Sequence, residues 1–297
     1  MASYARPLAA VLFALLLLLA GGLACGAAGA GDLTVTPLTV TGVPGTIVLL
    51  SDLHVSEGNR DLIERTVRET NALHPSLVLI AGDFVAGYGR DGVPDLSPLA
   101  GIRAPVYAVP GNHDYGISSR GRGEMLKEAN LSVEGYDLSP LADGTADTAL
   151  ADAVCARLEE AGVVVLRNEY ATEEIENSTV LVVGLDDGLA GRARFPDELP
   201  DADYRIVLIH EPECRAAWDV DLVLCGHTHG GQVDLPVLGK PAAWFGYDPS
   251  AGLIEEGKRT VYVSRGIGTT PLLGMDIRLN CPPEITVVRG QAPSRTQ

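Results

Sequence analysis

Short apolar runs that stop abruptly at polar residues organise this chain. TIVLL (46–50) runs into SDLH, LVLIA (77–81) into GD, VYAVP (106–110) into GNHD, IVLI (206–209) into His210, and LVLC (222–225) into GHTH. β-Branched runs of this length without polar alternation are the pattern of strands buried on both faces, as in sheets covered by helices. Between the first two runs, residues 59–73 (NRDLIERTVRETNAL) place Leu62, Ile63, Val67 and Leu73 along one helical face, with Asn59 or Asp61 as the cap. That is a βαβ unit. Residues 149–161 (ALADAVCARLEEA) predict a second helix, and VVVL (163–166) and VLVVGL (180–185) predict strands, with a turn at Asn177-Ser178. VYVSR (261–265) and EITVV (284–288) read as strands completing the second half of a sheet. Residues 116–148 are polar and glycine-rich, without sustained period and too long for a plain connection. They form an insertion that leaves the chain directly after His113-Asp114, placed either as a lid over the site or as a surface loop. No repeat or long linker divides the chain, so residues 31–297 form one domain.

Ahead of that domain, Leu8 to Ala20 is apolar, with Arg6 the sole charge before it and small residues after it. This is the order of an export signal. The run is 13 residues long, against about 20 for a helix that spans a bilayer core. Three fates are consistent with it. Cys25 after Gly22-Leu23-Ala24 resembles a bacterial lipoprotein box, Ala28-Gly29-Ala30 resembles an ordinary signal-peptidase site, and an uncleaved anchor is the third. Each puts the remaining domain outside the cytoplasm or at a membrane face, so the expected location is the bacterial cell envelope.

Composition narrows the partners. With 39 Asp+Glu against 22 Lys+Arg and a formal charge of −17, the chain lacks the basic face that phosphate-neutralising nucleic-acid binders need. The 46% hydrophobic and 21% charged residues are a globular balance. Cys155, Cys214, Cys225 and Cys281 are widely spaced, with no CxxC, which points to buried small hydrophobes rather than a thiolate zinc site.

The chemistry lies where the apolar runs end. In open α/β sheets, ligands collect beyond the carboxyl ends of strands. Five of the six histidines occur there: His54, His113, His210, His227 and His229. His74, in a loop before a strand, stands apart as a turn residue. Imidazoles of His54, His210, His227 and His229, carboxylates of Asp52 and Asp83, and the amide oxygen of Asn112 make seven donors without a thiolate, more than one ion uses. Two divalent ions sharing a carboxylate would use them, and mixed nitrogen and oxygen donation suits Mn²⁺, Fe²⁺ or Zn²⁺.

Asp52-x-His54, Gly82-Asp83, Gly111-Asn112-His113-Asp114, a lone His210 and Gly226-His227-Thr228-His229 resemble, in order, the five motifs of the calcineurin-like metallophosphoesterases. The resemblance spans roughly residues 46 to 290. It implies an α/β fold, a β-sandwich flanked by helices in αββα layers, with a dimetal site at strand C-terminal ends. It further implies that Asp52, His54 and His229 bind one metal, Asn112, His210 and His227 the other, and Asp83 bridges them. His113 is implied as the acid near the leaving oxygen, an imidazolium oriented by Asp114. The implied reaction is hydrolysis by a metal-bridged hydroxide, with manganese the family expectation.

HTHGGQVDLPVLG (227–239), GLIEEG (252–257), VYVSRGIGTTPLL (261–273) and CPPEITVV (281–288) resemble the membrane-associated YaeI/YkuE-type phosphodiesterases, whose relatives include UDP-2,3-diacylglucosamine hydrolases of lipid A synthesis. The resemblance points to a phosphodiester or pyrophosphate bond in a lipid-linked or nucleotide-linked substrate. The alternatives are a phosphomonoesterase of the same fold, for which Arg265 could grip a dianion, and an envelope-tethered binding or scaffold protein. Gly266 to Thr270 reads either as amides and hydroxyls presented to a phosphate or as a turn that needs glycine. Trp244-Phe245-Gly246-Tyr247 reads as core beside a sheet before it reads as a pocket for an apolar tail.

Overall fold

The uninterrupted apolar runs become the central strands of two stacked sheets. The structure, a computed structural model, describes residue 22 and residues 25–86, 92–248, 250–257, 259–271 and 274–291. The apolar run 8–20, with any lipid or signal function, lies outside the described residues.

The strands are β1 (Thr34–Val40), β2 (Thr46–Leu50), β3 (Leu77–Ala81), β4 (Val106–Val109), β5 (Val164–Val165), β6 (Glu169–Ile175), β7 (Ser178–Gly184), β8 (Tyr204–Leu208), β9 (Leu222–Cys225), β10 (Gly252–Glu256), β11 (Arg259–Val263) and β12 (Glu284–Gly290). The helices are α1 (Arg60–Ala72), α2 (Arg122–Leu126), α3 (Thr148–Glu160) and α4 (Pro241–Trp244). One sheet has the order β1-β12-β2-β3-β4-β5 and the other β10-β11-β9-β8-β7-β6. β2, β3, β4 and β5 run parallel, as do β7, β8, β9 and β11.

Both faces of the central strands are covered, which explains the missing polar alternation. In β2, Ile47 and Leu49 face the second sheet, where Val180, Val182, Ile206, Leu208, Leu222 and Leu224 meet them. Val48 and Leu50 face the other way, packing with Ile63 and Val67 of α1 and Val154 and Leu158 of α3. The predicted helices lie within a residue of their expected bounds. Three strands without that apolar signature, β1, β6 and β10, are all sheet edges. Edge strands bury less, so their sequences alternate or turn polar, and β1 tolerates Pro37 for the same reason.

The fourth layer is irregular. The outer face of the second sheet (Leu181, Val183, Val207, Ile209, Val223) is covered by Tyr115, Ile117, Leu138, Leu141, Leu189 and Trp218 rather than by long helices. Residues 116–148 supply much of this cover. Arg122, buried, donates to the carbonyls of Leu141 and Leu189 (both 2.7 Å) and to Asp143 and Thr145. The Tyr136 hydroxyl reaches the Cys214 carbonyl at 2.7 Å. The insertion is thus a packed wall, with its apolar residues too irregularly spaced to show a period. Among the described residues no helix is long and apolar enough to cross a membrane, and no cysteine is disulfide-bonded: Cys25 is exposed, the other four buried.

Candidate metal centre

Each motif sits one turn beyond a central strand, the first three from the first sheet and the last two from the second. Asp52 and His54 follow β2, Asp83 follows β3, Asn112 and His113 follow β4, His210 follows β8, and His227 and His229 follow β9. Asp52, His54, Asp83, His227 and His229 all adopt left-handed φ, from 42° to 73°. Left-handed φ is uncommon outside glycine, Asp and His tolerating it better than most, and five such residues in one cluster mark functional turns. The motif glycines allow the turns to touch: a Cβ at Gly226 would lie 2.6 Å from Asp52 Oδ2.

Asp83 is the hub. Its Oδ2 lies 3.2 Å from His210 Nε2, 3.6 Å from His54 Nε2 and 3.9 Å from His113 Nε2. Its Oδ1 accepts the His113 N–H at 2.8 Å. On one side, Asp52, His54 and His229 present ligand atoms within 4.8 Å of one another, and on the other Asp83, His210 and His227 do the same. Asn112 Nδ2 donates to the Ile117 carbonyl at 2.6 Å, while its Oδ1 is buried with no partner.

These residues fit a pair of cations. Nδ1 of His54 meets the Val85 carbonyl at 2.8 Å and Nδ1 of His210 the Ala81 carbonyl at 2.7 Å, so each turns Nε2 into the site. The nitrogens crowd, at 3.0 Å for His54 and His229 and 3.3 Å for His210 and His227. Lone pairs at these separations require a proton or a cation between them, and the orphaned Asn112 oxygen is a further buried donor.

Electrostatics agrees. Burial works to raise the Asp83 pKa, but the imidazoles of His210, His113 and His54 outweigh it and hold Asp83 well below the usual range. For His210, burial works downward, and Asp83 outweighs it to lift the imidazole well above normal. Asp52 is raised by burial, with Asp83 adding to it. His229 is lowered by burial, then by His54 and Arg278. Burial also takes the His113 pKa down to about 3, against the pull of Asp83.

The Asp114 carboxylate accepts four backbone N–H groups, of Asp83, Phe84, Val85 and Gly111, at 2.9–3.1 Å. These bonds fix the loop that carries His113 against the Asp83 turn. Burial pushes the Asp114 pKa up to about 7, with Asp83 the next cause. Of the readings left open for the neighbouring segments, the turn is the one observed at 266–270, and the core reading of the aromatic run is corrected. Ile267 and Gly268 amides donate to the Ser51 and Asp52 carbonyls, so the 266–270 turn braces Asp52 and offers those amides to no phosphate. Gly266 is required there because a Cβ would lie 2.6 Å from Asp52 Cβ. Arg265 pairs with Glu284 at 2.7 Å and is no phosphate fork. Trp244, Phe245 and Tyr247 are exposed, not core.

Some participants escaped sequence reading. Arg278, fully buried, donates to His229 Nδ1 at 3.2 Å and to the carbonyls of Arg265, Gly268 and Cys281. Glu213 lies 3.6 Å from His227 Nε2. Asp187 and Glu211 form a buried acid pair behind His210, with Asp187 raised by burial and then by Glu211. Glu211 and Glu213 follow the lone histidine in HEPE and were detectable there. Arg278 sits in no motif.

The calcineurin-like phosphoesterase family profile matches residues 45–231. Phosphodiesterase YaeI of Escherichia coli is 32% identical over 256 residues, covering 82% of each chain. The uncharacterized metallophosphoesterase YkuE of Bacillus subtilis is 28% identical, covering 81% of this chain and 77% of its own. UDP-2,3-diacylglucosamine pyrophosphatase LpxG of Chlamydia trachomatis is 28% identical over 280 residues, covering 82% of each. With the profile spanning most of the chain and its motifs converging on one buried cluster of donors, this protein belongs to the calcineurin-like metallophosphoesterases and is a hydrolase.

Proposed function

We propose that this chain hydrolyses a phosphodiester or pyrophosphate bond in a lipid-linked or nucleotide-linked substrate at the cell envelope. The observation that carries the reading is Asp83, one carboxylate set among three imidazole nitrogens between two groups of ligand atoms. Asp52, His54 and His229 would hold one divalent ion, Asn112, His210 and His227 the other, with Asp83 shared. When bound, such a pair lowers the pKa of a water toward neutrality and neutralises phosphoryl oxygens during in-line attack. Manganese is the proposed metal.

The protein's own contribution is placement. Val85 and Ala81 carbonyls fix two imidazoles, and Asp114 ties the Asp83 and Asn112 loops together. His113, beside Asp83 and edge-on to His54 at 4.5 Å, is positioned to give an N–H to the departing oxygen. The pairing of Arg265 with Glu284 favours a diester over a dianionic monoester, since that guanidinium is committed elsewhere. The likeness to YaeI and LpxG supports the same bond types, and UDP-2,3-diacylglucosamine is the proposed example.

The test is hydrolysis by the Mn²⁺-loaded full chain of a chromogenic phosphodiester, its monoester and UDP-2,3-diacylglucosamine. Faster monoester cleavage would overturn the diesterase reading. Asp83→Ala should lose metal and activity together, whereas His113→Ala should keep its metal and lose about 10²–10⁴ in rate. Equal metal loss in both contradicts the roles assigned.

A further inference from the structure

The turn that carries His227 and His229 extrudes a loop that belongs to no layer of the fold. The chain leaves this turn at Gln232 and returns at Ser250, whose carbonyl accepts the Thr228 hydroxyl. None of its described residues is buried. Val237 is fully exposed, Phe245 is 77%, Leu238 63%, Trp244 58% and Tyr247 46% exposed. Single exposed apolar side chains are ordinary, but five between residues 237 and 247 are a concentration of the kind that marks a contact. Backbone geometry sharpens the point. Leu235 and Gly239 exchange hydrogen bonds at 2.8 Å, closing a tight turn in which Val237 has φ of +69°. A β-branched residue in that region is a strained outlier, here at the point of greatest exposure.

The neighbours of the loop indicate what covers it. Residues 277–279 run alongside: Leu279 donates to the Gln232 carbonyl and Asp234 to the Leu279 carbonyl, both at 2.9 Å. On the other side of the same segment, Arg278 donates to the Gly26 carbonyl at 2.9 Å. Gly26, six residues after the apolar run 8–20 ends in the sequence, therefore sits about 10 Å from the base of the loop, two backbone spacings away. Met275, exposed, lies just ahead of the 277–279 segment.

We propose that residues 232–248 dock on a lipid bilayer, with Val237, Leu238, Trp244 and Phe245 entering its interface, close to where Gly26 is seated. The metal-ligand turn is thereby held at the membrane surface. Charge dictates the type of contact. A net −17 opposes approach to anionic lipids, and the loop itself carries Lys240 against Asp234 and Asp248. Binding through this loop is apolar, so it persists at high salt. The proposal concerns where the mouth of the site faces and goes beyond the proposed activity, holding whichever phosphate ester is cleaved.

The two tryptophans provide the test, since Trp218 is buried and Trp244 exposed. The full chain is bound to vesicles of phosphatidylethanolamine and phosphatidylglycerol with brominated acyl chains. Expected is a blue shift with loss of about half of the Trp244 emission, at low and molar salt alike, absent from Trp244→Phe. If vesicle-bound protein leaves Trp244 as open to iodide as in water, the N-terminal run alone holds the membrane and the proposal fails. Shielding of Trp244 that rises with protein concentration without lipid would assign the patch to a second copy of the chain and also overturn it.

Discussion

Arg278 shows how much of the site rests on a residue outside every motif. Its guanidinium is buried beneath His229 and bonds three carbonyls besides the imidazole, joining the 265–268 turn to the 281 segment. Replacing it by methionine keeps the volume but leaves those carbonyls without donors, an expected loss of about 3 kcal/mol in stability. The same change releases the His229 ring, so the metal position containing Asp52, His54 and His229 should weaken about 10–100-fold while the other is retained. Chemical unfolding and metal titration of Arg278→Met check this, with Arg278→Lys restoring part of the stability. Equal weakening of both positions would make Arg278 a general packing residue. The ligands themselves were legible because their spacing within each motif is short. Arg278 was not, because its partners are backbone carbonyls, which leave no trace in residue identity, and His229 lies 49 positions away.

At the scale of elements, legibility followed burial. β2, β3, β4 and β9 were readable because both faces are covered, while β1, β6 and β10 were hidden by their edge positions. The insertion gave no period because Ile117, Leu138 and Leu141 enter the core one at a time from irregular backbone. The N-terminal segment is the clearest case of structure adding to sequence. Residues 25–29 form a helical turn seated on Ile277 and Arg278, where Gly26 and Gly29 have no room for a Cβ. Arg65 then holds the Gly31 and Leu33 carbonyls at 3.1 and 3.3 Å. Cleavage after Ala30 would remove this turn, whereas processing at Cys25 would preserve it. The mature chain is therefore expected to begin at Cys25 or upstream. Intact-mass measurement of the protein isolated from its native host decides this, and a chain starting at Gly31 would show that the fold does not need the turn.

For the whole molecule, the excess of acid reaches into the interior through its tyrosines. Tyr107, Tyr115 and Tyr262 donate their hydroxyls to Glu173, Asp186 and Glu284. Burial first, and these carboxylates second, raise all three phenols, Tyr107 to about 12. Tyr136 and Tyr204 are also raised, again mainly by burial. Since each folded-state value exceeds the unfolded value of about 10, the native state keeps protons that the unfolded chain gives up. Their stabilising contribution is present below pH 10 and declines as pH rises through 10 toward 12 and beyond. The five phenols should consequently ionise in step with loss of tertiary structure, followed by phenolate absorbance against near-ultraviolet circular dichroism. Tyr107→Phe isolates one of them. Tyr107 on β4 reaches Glu173 on β6 at 2.6 Å and so links the two sheets, and its removal should lower stability by about 1 kcal/mol at pH 8. That deficit should shrink toward pH 12, where the wild-type phenol contributes less and the variant has no such proton to lose. A deficit constant across this range would show that Tyr107 acts through packing alone.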